Sequence, residues 1–147
     1  GISKGRRMSD REQKGRNGHP ENDEHVLLVD YDVAAIEAGR RLLEESGYRV
    51  TTCTNSAEAL ALIHSTEDQQ FDCVICEVSM PVIGGVAIAN TCRLCRPWAR
   101  FLLSSGTVDV LSADSLRSLG IAGIVMKPFS SHFLAKAIQR ALTGYNP

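Results

Sequence analysis

The chain has no apolar run approaching the ~18 residues of a membrane-spanning helix, so a transmembrane protein is not expected. It has no marked excess of one charge: 16 Lys and Arg stand against 17 Asp and Glu, and the pI is about 6.5. That balance argues against nucleic acid as the main partner. It has no G-x-x-x-x-G-K-[ST] and no G-x-G-x-x-G, so neither a nucleotide-binding loop nor a dinucleotide fingerprint is present. Its five cysteines are an odd number in a sequence that reads as reducing in context, which argues against a disulfide framework. The 147 residues are 44% hydrophobic and 22% charged, the composition of an ordinary globular domain with one core.

Residues 1–24 carry bases from Lys4 to Arg16, acids such as Asp10 and Glu24, and almost no apolar side chains. Such a segment cannot bury enough surface to offset the entropy of ordering, so it reads as a disordered leader. Residues 1–7 read as a tag remnant before a native start at Met8, and no apolar h-region marks a secretory signal. The expected location is therefore cytoplasmic, and the folded domain is expected over residues 25–145.

From His25 the pattern alternates. Short apolar runs at His25–Val29, Tyr48–Cys53, Phe71–Val78, Phe101–Leu103 and Ala122–Met126 read as strands. Between and after them, Val33–Ser46, Ala57–His64, Val86–Cys95, Val110–Leu119 and Phe133–Leu142 read as helices, the first capped by Gly47 and the second started by Asn55 or Ser56. In the last helix Phe133, Ala137 and Ala141 form one apolar row and Leu134, Ile138 and Leu142 another. Strict alternation of strand and helix implies an α/β fold: a doubly wound parallel sheet covered by helices on both faces. A ligand site is then expected at the carboxyl ends of the strands. Asp30, Glu77, Ser104-Ser105 and Lys127 fall there. Two carboxylates, a hydroxyl and an ammonium suit a metal-bound phosphoryl group. An ion pair at a half-exposed sheet edge is the plainer account of any one of them alone.

These pieces, together with Gly47-Tyr48-Arg49-Val50, Ala57-Glu58-Ala59-Leu60, Met80-Pro81 with Gly85, and Lys127-Pro128-Phe129, resemble the receiver domain of two-component response regulators over about residues 25–143. The resemblance implies a flavodoxin-like sheet of order 2-1-3-4-5 and a phosphoryl group taken from a histidine kinase onto an aspartate at the end of strand three. Here the acceptor position holds Glu77. Of the acidic pair that holds Mg²⁺ in the family, Asp30 is present and Tyr31 replaces the second acid. The switch hydroxyl matches Ser105, the site lysine matches Lys127, and the aromatic switch position holds Ile124.

Glutamate reaches roughly 1.5 Å further than aspartate, and in-line phosphoryl transfer is sensitive to displacements of that size. A longer arm also permits a direct Glu77–Lys127 contact that imitates part of the charge of a phosphorylated aspartate. With Tyr31 in place of an acid, Asp30 and Glu77 are a weak Mg²⁺ ligand set. The chain thus resembles a degenerate receiver: no enzyme, but a protein-interaction module independent of phosphorylation. It would meet a kinase or a downstream signalling protein through helix four, strand five and helix five, and a homodimer through those elements stays open. The alternative is a phosphorylatable Mg²⁺-dependent receiver in which Asp32 replaces the missing ligand. A second alternative is a four-cysteine zinc module from Cys73, Cys76, Cys92 and Cys95. It is disfavoured because residues three apart on a strand face opposite sides, and buried small apolar roles suit both pairs better.

Overall fold

The structure, a computed structural model, describes residues 23–65, 70–107 and 111–144. The expected leader, residues 1–22, lies outside them. Five strands, β1 (His25–Val29), β2 (Arg49–Cys53), β3 (Cys73–Glu77), β4 (Arg100–Ser105) and β5 (Gly123–Met126), form one sheet of order β2-β1-β3-β4-β5. Every pairing is parallel. The helices are α1 (Val33–Glu45), α2 (Ser56–His64), α3 (Gly85–Cys95), α4 (Ala113–Ser118) and α5 (Ser131–Thr143). This is the parallel sheet that the alternation of elements implied, in the flavodoxin-like order that the resemblance implied.

The central strands are apolar on both sides because helices cover both faces. Leu27, Val29, Val74, Cys76 and Leu103 pack with Ile63 of α2 and Ile88 of α3. Val26, Leu28, Cys73, Ile75 and Leu102 pack with Ile36 and Leu43 of α1 and with Leu134 and Ile138 of α5. The helix starts follow side-chain chemistry. Asp32, Asn55, Ser112 and Ser130 each accept a backbone N–H from the first turn that follows. Gly47, at φ 93°, supplies the left-handed turn after α1.

Three expectations shift. The fourth helix begins at Ala113 rather than Val110, a residue outside the described set, and no residue of α4 is buried. Phe133 is 70% exposed although the row pattern assigned it to the core. It sits in the first turn of α5, edge-on to His132. Cys95, the last residue of α3, is exposed while the other four cysteines are buried. Its Sγ lies 3.4 Å from Nδ1 of His64.

The zinc arrangement does not assemble. Cys73 belongs to the core under α1 and α5, whereas Cys76 and Cys92 belong to the core under α2 and α3. Burial pushes the Cys53 thiol up to about 12 and the Cys92 thiol up to about 11, so they behave as small apolar side chains.

Candidate functional site

The parallel register brings the carboxyl ends of β1, β3 and β4 level: Val29 pairs with Cys76, and Glu77 with Ser104. The next residue of β1 is Asp30, fully buried, and Glu77 beside it is nearly so. Lys127 follows β5, its backbone N–H donating to Ser105 O at 2.8 Å. The Lys127–Pro128 peptide is cis. From there the Lys127 side chain reaches back across β4 and meets both acids. Its Nζ lies 2.8 Å from Asp30 Oδ2 and 2.5 Å from Glu77 Oε1.

The remaining carboxylate oxygens are also engaged. Asp30 Oδ1 accepts the Asp32 N–H at 2.9 Å, and Glu77 Oε2 accepts the Ser79 N–H at 2.8 Å. Each of the four oxygens therefore has a donor. Such pairing offsets the cost of taking two carboxylates out of water at a buried strand edge. Burial pulls the Lys127 ammonium toward its neutral form, but the hydrogen bonds and charges of Asp30 and Glu77 outweigh this, and its pKa is raised.

The neighbouring positions turn away from this cluster. Ser105 Oγ donates to Thr107 O at 3.0 Å and accepts the Thr107 N–H at 3.0 Å, closing its hydroxyl on its own loop. Tyr31 is half exposed. Asp32, the residue weighed as a substitute metal ligand, spends Oδ1 on capping α1 through the Ala34 N–H at 3.0 Å. Ile124 is half-buried and packs against the core under α2 and α3. Gly85 lets α3 start directly against β3: a Cβ there would lie 2.6 Å from Glu77 O and 2.9 Å from Val78 Cα. Among the described residues no group of three His, Cys, Asp or Glu side chains gathers as a metal site.

One structural residue escaped the sequence reading. Arg96 follows α3 directly and precedes Pro97. It is buried, with Nε donating to Ile63 O at 2.8 Å, Nη2 donating to Ser65 O, and its guanidinium 5.6 Å from the Trp98 ring. It satisfies carbonyls at the end of α2 that the helix itself leaves open. An Arg-Pro pair gives no hint of this, because its partners are backbone atoms about thirty residues away.

The family model described as a response regulator receiver domain matches residues 26–139. The tetrathionate response regulatory protein TtrR of Salmonella typhimurium is 32% identical over 118 residues, which cover 80% of this chain and 56% of that protein. The sensor kinase CckA of Brucella abortus is 30% identical over 117 residues, 80% of this chain and 12% of that one. The chain thus spans no more than 56% of either curated relative. The solved structure of chemotaxis protein CheY4 of Vibrio cholerae superposes with a TM-score of 0.73 at 27% identity, covering 82% of this chain and 100% of that one. No helix of the described residues is long and apolar enough to cross a membrane. A match that runs from β1 into α5, over a sheet of the same order, leaves one conclusion: the chain belongs to the response regulator receiver domains of two-component signalling.

Proposed function

We propose that this receiver is degenerate and works as a protein-interaction module whose state does not depend on phosphorylation. The observation that carries the reading is the saturated acid–lysine cluster. The Lys127 ammonium occupies both Asp30 and Glu77, and backbone N–H groups occupy the other carboxylate oxygens. An attacking carboxylate oxygen needs an unobstructed in-line approach to the phosphoryl donor. Glu77, the residue at the acceptor position, has both oxygens engaged.

The same residues fit Mg²⁺ poorly. The ion demands near-octahedral oxygen ligands and gives up its waters reluctantly. Asp30 and Glu77 are held by a cation, Tyr31 brings no charge, and the Asp32 carboxylate caps a helix. What the cluster does instead is tie the ends of β1, β3 and β5 together in one arrangement. A fixed arrangement presents a fixed surface, and α4, β5 and α5 form the face for a partner. That partner is a downstream signalling protein or a histidine kinase, met in the cytoplasm, with homodimerisation through the same elements as the remaining option.

The test is amide NMR of the ¹⁵N-labelled chain with Mg²⁺ and then beryllofluoride, a mimic of the phosphoryl group. An unchanged spectrum is expected. Saturable shifts at Asp30, Glu77, Ser105 and Lys127 would overturn the reading and restore the phosphorylatable receiver.

A further inference from the structure

We infer that Cys95 and His64 form a thiol–imidazole pair that takes up a small disulfide as a reversible mixed disulfide on Cys95. The site is separate from the acid cluster and holds whether or not that cluster accepts a phosphoryl group. His64 ends α2 and Cys95 ends α3. Each helix returns the chain to the start of the next parallel strand, so both residues stand at the edge of the sheet opposite Asp30 and Glu77. The packing of α2 against α3 brings together two side chains 31 residues apart in sequence: Cys95 Sγ lies 3.4 Å from His64 Nδ1. Both residues are exposed.

Burial sets the selectivity among the five cysteines. Cys53, Cys73, Cys76 and Cys92 are all buried, and burial pushes each of their thiols up, Cys92 to about 11. A thiol held protonated is a poor nucleophile. Cys95 alone among them combines access with an adjacent base, the arrangement that activates a cysteine. Both residues of the pair also close their helices, at the negative end of the backbone dipole. That position favours a cation and disfavours an isolated thiolate, so the exchange depends on the proton passing to His64.

With the ring proton on Nε2, the thiol donates to Nδ1. As Cys95 Sγ bonds to one sulfur of a disulfide R–S–S–R, its proton passes to Nδ1. The S–S bond breaks, and the second sulfur leaves with the electron pair and takes that proton from the imidazolium. The products are Cys95–S–S–R and R–SH. One disulfide replaces another, so no further oxidant is needed, and excess free thiol reverses the step.

The surroundings suit a small carrier. Leu94 and Trp98, on either side of Cys95 in the chain, are 67% and 53% exposed. The Arg96 guanidinium lies 5.6 Å from the Trp98 ring centroid and is itself fixed to Ile63 O and Ser65 O, the carbonyls that flank His64 in sequence. Beside the pair also stands the buried Cys92, one turn back on α3, whose thiol feels the charges of both Arg96 and Cys95. A small thiol can lie against the apolar flanks, whereas two copies joined through Cys95 would drive the same bulky groups against each other.

The probe is oxidised glutathione added to the full chain, followed by intact mass and peptide mapping. One adduct is expected, on Cys95, removed by excess reduced glutathione and absent from Cys95→Ser. His64→Gln changes an exposed side chain and is expected to keep the parent's thermal midpoint. Its adduct should form at least about tenfold more slowly at pH 7 and at the parent's rate above about pH 9, where a thiol ionises without help. That convergence separates a base from a side chain that merely shapes the approach, whose loss would act equally at every pH. No adduct on the native chain, an adduct on a buried cysteine, or a Cys92–Cys95 disulfide in its place would overturn the proposal. So would His64→Gln reacting at the parent's rate at pH 7, or more slowly by one factor at every pH. A disulfide-linked pair of chains formed in preference to the adduct would make a second copy the reactant and overturn the assignment of a small disulfide.

Discussion

The acid–lysine cluster and the arginine-lined groove between α3, α4 and α5 handle charge in opposite ways. In the cluster one ammonium serves two buried carboxylates, and every carboxylate oxygen has a donor. In the groove four exposed guanidinium groups, those of Arg93, Arg100, Arg117 and Arg140, have a single carboxylate, Asp114, between them among the described residues. Burial makes the difference consequential. Charges removed from water must be matched inside the protein, whereas charges at the surface are solvated and remain free to be matched from outside. A saturated cluster supports the fold; an unpaired groove is available to a partner.

The largest expected effect separates the two regions directly. Lys127→Met leaves two buried carboxylates side by side without their cation, and is expected to cost about 3–5 kcal/mol in urea unfolding. Arg100→Ala in the groove should stay within about 0.5 kcal/mol of the parent. A Lys127→Met variant as stable as the parent would remove the distinction.

Next in size is a gain of function. Tyr31→Asp with Glu77→Asp restores a second acid and shortens the arm that reaches Lys127. Mg²⁺ affinity, read by calorimetry, is expected to rise on the order of tenfold or more, and a beryllofluoride response should appear. A silent double variant would move the cause of degeneracy away from these two positions.

The two regions should also differ in how pH reaches them. The Lys127 pKa is raised in the folded state, so its contribution is fully present below the ordinary lysine value of 10.5 and is lost as pH rises through the folded value. His25, at the start of β1, works the other way. Burial first, then the Arg49 charge, lower its pKa against the opposing Asp72 and the Gln70 backbone. Its contribution is present above the ordinary value of 6.5 and is lost as pH falls through the folded value. Thermal midpoints measured from pH 5 to 11 should therefore decline at both ends, Lys127→Met flattening the alkaline limb and His25→Gln the acid one. The smallest effect is chemical: one thiol, Cys95, should react with a disulfide reagent in the native protein and five after denaturation.

Much of this was legible in the residues because burial on both faces forces strands to be continuous apolar runs. Val26-Leu27-Leu28-Val29 and Cys73-Val74-Ile75-Cys76 could hardly be anything else in a parallel sheet. The contact between Glu77 and Lys127 was legible too, from one extra methylene at a strand end. What escaped depends on where elements stop. Phe133 and Cys95 follow helical spacing but lie in the end turns of their helices and are exposed, and periodicity does not report where a neighbour's cover stops. Ser105 was grouped with the acids by its strand position, but Thr107, two residues on, holds its hydroxyl instead. The arginine groove needed the fold, because its four bases come from α3, β4, α4 and α5.

The Lys127 bridge also bears on the order of events in folding. It joins residues 97 apart in sequence, from the end of β5 across β4 to β3 and β1. A contact that needs all intervening strands in place is expected to form after the transition state for folding, which refolding and unfolding rates of Lys127→Met would check. Removing this one should leave the refolding rate nearly unchanged and appear almost wholly as faster unfolding. The bridge then acts as a latch on the finished domain, lengthening its native lifetime without guiding its assembly.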